Sequence, residues 1–214
     1  MSDLPAVIPI FPLPNVVLFP GVPLPLHIFE PRYRDMVRDA AATEERLIGM
    51  VLLRGDWRRD YYGSPQIFAT GCAGRMLNIE QLADGRYNIL LHGLREFVVE
   101  EELSDLTYRR ARVRWRGLTD AVVGEECRAR LDGLLRRYVR SRGPDAAKKV
   151  LDDGDVADDL RLNFFCYALE LSSVEKQALL EASSVRERAE RLCDVLEFAI
   201  GANSAQSPEI DRYH

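Results

Sequence analysis

Lysine is nearly missing from this 214-residue sequence: only Lys148, Lys149 and Lys176 occur, and the rest of its 29 basic residues are arginine. The pattern G-x-x-x-x-G-K-[ST] is absent, which excludes a P-loop nucleotide site. G-x-S-x-G is absent too; Ser64 stands in Gly63-Ser64-Pro65, which is no nucleophile elbow. The three histidines, His27, His92 and His214, form no metal-ligand set with the nearest carboxylates, Glu30 and Glu96. The expectation is therefore no catalytic residue, no metal and no cofactor. The four cysteines, Cys72, Cys127, Cys166 and Cys193, make no C-x-x-C pair and fall mostly among apolar neighbours, as reduced thiols of a cytoplasmic protein do. Nor does either half of the chain carry a large charge of one sign. Net charge is −5; residues 1–120 hold 16 acids and 15 bases, residues 121–214 hold 18 and 14. Neither half is basic enough to be drawn onto nucleic acid by charge alone. The most apolar stretch, Val7 to Pro31, contains seven prolines, so no continuous helix there can satisfy its backbone in lipid. The opening Met1-Ser2-Asp3 lacks the basic residues of a secretory signal.

What is present is enough apolar residue, 47% of the chain, to bury a sizeable core. The first half has the periodicity of strands: Pro-rich segments around Val7–Ile10 and Leu24–Phe29, whose prolines suit edge strands, then Leu47–Leu53, Ile67–Leu82 and Arg86–Leu103. The last two are joined at Ala83-Asp84-Gly85, a hairpin signal. Arg110, Arg112, Arg114 and Arg116 alternate with Ala111, Val113 and Trp115, which predicts a half-buried strand. Gly71, Gly74 and Gly93 mark bends or bulges where a sheet curls. One helix interrupts the strands: Pro31 suits its first position, and Tyr33, Met36, Val37 and Ala40 form its apolar face.

After Gly117 the period becomes helical. Cys127, Leu131, Leu134, Leu135 and Tyr138 form a stripe on a helix from about Val122 to Ser141, stopped by Gly143-Pro144. Asp152-Asp153-Gly154-Asp155 is expected to be a solvated turn, and a second helix runs from about Val156 to Leu169. Two S-x-x-E capping boxes, at Ser172 and Ser184, open two more, the last ending at Gly201. The expected organisation is a β-rich subdomain over residues 1–117, a four-helix subdomain over 118–201 and a flexible tail over 202–214.

Two strings carry a family resemblance: Phe11-Pro12-Leu13-Pro14-Asn15-Val16-Val17-Leu18-Phe19-Pro20-Gly21 and Pro25-Leu26-His27-Ile28-Phe29-Glu30-Pro31-Arg32-Tyr33. With Asp84-Gly85-Arg86-Tyr87, Gly93 and Phe97 further on, and Glu175–Glu181 followed by Arg188, the chain resembles the amino-terminal, substrate-binding part of the Lon protease in its free-standing bacterial form. The likeness spans roughly residues 7–200. It implies an α+β fold: a PUA-like curled β-barrel with one inserted helix, followed by an α-helical bundle. It also implies a non-enzymatic module for polypeptide substrates or a protein partner, adaptor- or chaperone-like, since the ATPase and Ser–Lys peptidase signatures are not found in these residues. No membrane or nucleic-acid partner is expected. Alternatives are an RNA-binding PUA-like module and a small-molecule enzyme with an unrecognised site.

The candidate contact residues are Phe11, Val16, Val17, Leu18 and Phe19, a stiff apolar segment that would lose little entropy on binding, although most should fill the core. Glu30, Arg32 and Arg34 form a charged cluster at the first helix; a structural Glu–Arg pair is favoured over a recognition spot. The arginine row faces Glu100-Glu101-Glu102 upstream and is read as a salt-paired sheet face before an RNA-binding one.

Overall fold

A computed structural model describes residues 4–60, 63–103, 105–117, 123–142, 145–152 and 156–204. Six strands and a helix occupy the first half: β1 (Val7–Leu13), β2 (Pro23–Ile28), α1 (Pro31–Ala41), β3 (Leu47–Leu52), β4 (Thr70–Gln81), β5 (Tyr87–Leu103) and β6 (Arg110–Trp115). Then come α2 (Glu125–Arg142), α3 (Asp145–Asp152), α4 (Asp158–Ala168), α5 (Ser173–Leu180) and α6 (Val185–Ser204). The chain is α+β, and it divides into two compact units: residues 1–117 with 171–181, and residues 118–170 with 182–214.

In the first unit the strands form one sheet in the order β2-β5-β4-β3-β1-β6, and β6 also pairs with β5. The length of β5, 17 residues, permits this. One of its edges runs along β4; the other takes β2 over Tyr87–His92 and then β6 over Phe97–Leu103. The pairing circuit β5-β4-β3-β1-β6 therefore closes on itself, and β2 is left with a single neighbour. Ile8, Ile10, Val51, Ala73, Phe97, Ala111 and Val113 pack together as a buried cluster, with Trp115 set edge-on to Phe97.

The prolines of β1 do not place it at the edge of the sheet. Instead each half of β1 has one partner, β6 for Val7–Pro9 and β3 for Ile10–Leu13. Locally each half is an edge, where a missing N–H is tolerated. The glycines do coincide with irregularity. Ala73 pairs with Arg95 but Gly74 with Gly93, so Leu94 is an extra residue; likewise Leu77 is extra between the Met76 and Asn78 pairs. Both bulge leucines are thrown outward, Leu77 58% and Leu94 39% exposed.

Helix α1 buries the face its period predicts, Tyr33, Met36, Val37 and Ala40. Its polar side is tied to the β5–β6 connection: Tyr108 Oη donates to Asp39 at 3.1 Å and Thr107 Oγ1 to Asp35 at 3.2 Å.

Helix α5 belongs to this first unit, apart from the other late helices. Ser172 and Glu175 make the predicted reciprocal capping box. Gln177, only 1% exposed, donates from Nε2 to the Thr70 carbonyl at 3.0 Å. Arg116, at the end of β6, donates to the carbonyls of Leu180 and Glu181 at the carboxyl end of α5, each at 3.3 Å. The buried Gln177 bond in particular sets position, because an unmatched partner there would cost desolvation.

In the second unit Leu131, Leu134, Leu135 and Tyr138 of α2 are buried as their stripe predicts, and α2 packs against α6. Arg130 of α2 bridges Asp194 (3.1 Å) and Glu197 (2.9 Å) of α6. Arg188 of α6 is 0% exposed and donates to Asn163 of α4 at 2.6 Å.

Three expectations need correction. Among the described residues five helices follow the sheet, where four were expected: Ala147 and Leu151, at i and i+4, bury one face of α3, which is too short to stand out by period alone. Helix α6 runs through Gly201 to Ser204. Gly201 has no positive φ, and a helical glycine costs about 1 kcal/mol without breaking the backbone ladder. At Ser184 the box is offset: Ser184 Oγ accepts from Glu187 N, but the Glu187 carboxylate accepts from Ser183 N and Oγ. The expectations for Gly143-Pro144, Asp153-Gly154-Asp155 and residues 205–214 lie outside the described residues.

Gln177→Ala leaves the Thr70 carbonyl without this donor, so unfolding free energy should fall by about 1–3 kcal/mol in urea denaturation, with α5 signals lost first in hydrogen exchange.

Candidate functional site

The apolar candidates turn out to be core. Phe11, Val17, Leu18 and Phe19 are 5%, 4%, 0% and 0% exposed, and Val16 is half-buried. The segment is drawn in by backbone bonds to β5: Gly93 N donates to Val22 O at 2.9 Å, and Gly21 N to Gly93 O at 2.8 Å. The approach is close enough that a Cβ on Gly93 would stand 2.0 Å from the Phe19 carbonyl oxygen. Phe11 packs on Tyr33 with ring centroids 4.3 Å apart.

The charged cluster splits. Glu30 pairs with Arg32 at 3.0 Å, and the Arg32 guanidinium lies 4.5 Å from the Tyr33 ring centre, a structural arrangement at the start of α1. Arg34 points elsewhere, to the turn at Gly85. The arginine row is matched by acids: Arg112 with Glu101 (3.4 Å), Arg114 with Glu100 (3.3 Å), Arg116 with Glu96 (3.6 Å), and Arg110 with Asp105. Its charge is spent within the fold, which supports the salt-paired sheet face.

The outer face of β2, β5 and β4 presents three cross-strand rows: Pro23, His92 and Arg75; Pro25, Leu90 and Asn78; His27, Asn88 and Glu80. The last row is hydrogen-bonded throughout. Arg86 Nη1, which can only donate, lies 3.3 Å from His27 Nε2, so that nitrogen accepts and the ring proton sits on Nδ1. Nδ1–H then donates to Asn88 Oδ1 at 2.8 Å, and Asn88 Nδ2 to Glu80 Oε2 at 3.0 Å. The middle row differs: no hydrogen bond reaches the Asn78 amide among the described residues. An open bay of about 400 Å³ lies over it, lined by Pro25, Leu26, His27, Asn78, Asn88, Ile89 and Leu90. Leu77, the bulge residue, adjoins Asn78, and Phe29, 61% exposed, stacks near His27 at 6.3 Å. Sequence reasoning passed over Asn78, Leu77 and Leu90 because bulge positions shift the alternation, and no local signal locates a bulge. Pro25, His27 and Phe29 stood inside a string that carries the resemblance, the one signal available.

Among the described residues no three His, Cys, Asp or Glu side chains gather as a metal set, and no helix is long and apolar enough to cross a membrane. Two of the thiols are poor nucleophiles: burial pushes Cys193 up to about 12 and also raises Cys127.

The architecture defines an α+β domain. The chain belongs to the family described as the ATP-dependent protease La (LON) substrate-binding domain, which it matches over residues 7–197. It is 28% identical over 204 residues to a Lon protease of Anaeromyxobacter dehalogenans, covering 91% of this chain and 23% of that protein. To Lon protease 2 of Myxococcus xanthus it is 27% identical, covering 91% and 24%. The chain thus spans about a quarter of the length of these relatives. Among solved structures it resembles a Lon N-terminal domain protein from Xanthomonas campestris (26% identity, TM-score 0.65, 88% of this chain and 97% of that one). The N-terminal domain of a Mycobacterium avium complex Lon protease shares the fold (18% identity, TM-score 0.67, 89% and 98%).

At the hairpin beside this face, hydrogen bonds from the Arg86 side chain and backbone hold the Asp84 carboxyl down at about 2, below its ordinary 3.8. A depressed carboxyl contributes stability above its unfolded pKa and loses it as pH falls through its folded value. The Asp84 carboxyl carbon should titrate by NMR with a midpoint near 2, and Arg86→Ala should move it back toward 3.8.

Proposed function

We propose that this chain is a binding module for unfolded or extended polypeptide and that the outer face of β2, β5 and β4 is where such a segment lies. Family membership supports the class of ligand. The observation that carries the choice of face is the exposed Asn78 amide, which has no protein partner among the described residues, set beside Pro25, Leu26 and Leu90 in an open bay. A primary amide is the complement of a peptide group: its N–H donates to a carbonyl while its oxygen accepts an N–H. Leu77 adjoining it and Pro25 and Leu90 in its row suit apolar side chains, and exposed apolar residues clustered in this way mark binding surfaces.

The geometry favours capture by side chains over addition of a strand. Val22 O bonds toward β5, so by alternation residues 23, 25 and 27 direct their backbone groups to the free edge of β2. Pro23 and Pro25 have no N–H to offer there, which blunts strand addition. The buried Phe11, Val17, Leu18 and Phe19 hold this face from beneath and do not touch the ligand. The closed strand circuit supports a curled, PUA-like barrel for the first unit. The role is a non-enzymatic one in the cytoplasm, adaptor- or chaperone-like.

A fluorescent, permanently unfolded apolar peptide tests this by anisotropy. Asn78→Ala and Leu90→Asp should each weaken binding about tenfold, roughly 1.4 kcal/mol, with unchanged unfolding midpoints. Equal binding by wild type and both variants would reject this face; no binding by wild type would reject the function.

A further inference from the structure

A second polar niche lies on the other side of the β4–β5 hairpin. Gln81 and Tyr87, a cross-strand pair at its mouth, sit one residue from Glu80 and Asn88 and so face away from the outer rows. With Pro31, Arg34, Asp35 and Arg38 of α1 and with Gly85 they line a cleft of about 280 Å³. Three features point to an anion of particular shape.

Arg34 is the available cation. Arg38 is engaged by Asp35 (2.7 Å) and Asp39 (3.0 Å), and Arg86 by Asp84 (2.5 Å). The Arg34 guanidinium makes no hydrogen bond or ion pair among the described residues; it feels Asp84 only as a weak, longer-range attraction. It also lies close against the hairpin turn. Gly85, at φ +81° in the turn closed by Gly85 N to Leu82 O at 2.8 Å, lets Arg34 Nη2 lie against the backbone where any Cβ would be 2.1 Å away. Two neutral donors accompany it, since the Tyr87 hydroxyl and the Gln81 amide have no hydrogen bond among the described residues.

We propose that this cleft binds a carboxylate. A guanidinium fork matches the two in-plane oxygens of a carboxylate, with Tyr87 and Gln81 able to complete their lone pairs. A phosphate dianion fits less well, because Asp35 and Asp84 flank the cleft and one arginine would face two charges. The carboxylate belongs to an acidic polypeptide side chain or to a small free acid. The site shares no residue with the outer face and stands or falls separately from it.

The test is an NMR titration of the isotope-labelled full chain with sodium acetate, with sodium chloride at matched ionic strength as control. Two blocked peptides, identical except for one Asp or Asn, are then added in turn. The Gly85 amide and the Gln81 side-chain amide should shift saturably with acetate and with the Asp peptide, while Asn78 does not move. Arg34→Met should abolish the shifts, and Tyr87→Phe, which removes only a hydroxyl, should weaken them several-fold. A tighter Asp peptide identifies an acidic segment as the ligand, whereas equal strength identifies any free carboxylate. Shifts reproduced by chloride, shifts absent at Gly85 in the wild type, or shifts retained in Arg34→Met would overturn the assignment.

Discussion

The double pairing of β5 is the constraint on which the first unit depends. A single strand of 17 residues lends one edge to β4 and divides the other between β2 and β6. That division turns an open sheet into a closed circuit and brings Phe97 and Val113 onto Ile8 and Ile10. It also removes most free strand edges, the usual liability of a sheet. The free edge of β2 is blunted by Pro23 and Pro25. Helix α5 follows from the same closure, because Arg116 at the end of β6 is positioned by pairing to meet the carbonyls that α5 leaves unsatisfied.

Curling such a sheet requires extra residues, and two of them are leucines. A bulge displaces its added side chain from the regular alternation, so Leu77 and Leu94 reach solvent without any polar residue having been replaced. The irregularity that lets the sheet bend thus also leaves an exposed leucine on its outer face beside Asn78. Charge is handled in the opposite way. The arginines of β6 each meet an acid, and the Glu30–Arg32 pair rests against Tyr33. Arg34 at the Gly85 turn departs from that pattern, with no acid paired to it among the described residues.

Much of the fold was legible from the residues. The hairpin at Asp84-Gly85, the α1 face of Tyr33, Met36, Val37 and Ala40, the capping box at Ser172, and the α2 stripe all rest on interactions within a few positions along the chain. Helix α3 and the run of α6 past Gly201 were not, because weak local preferences compete there with packing from distant segments. The candidate site was less legible still. Apolar character marked Phe11 and Val17–Phe19, but whether an apolar side chain is core or contact depends on what covers it, and here β5 does.

By itself, then, the sequence determined where most strands and helices form, that no nucleotide loop or nucleophile motif exists in these 214 residues, and through its Pro-rich and Asp-Gly-Arg-Tyr strings the family. Tertiary structure alone decided which leucines are expelled by bulges, which arginines are spent in pairs, and that α5 serves the sheet. The reason is physical: periodicity and capping are short-range and recorded locally, whereas register, burial and charge partnership are set between segments as much as 107 residues apart, as Gln177 and Thr70 are.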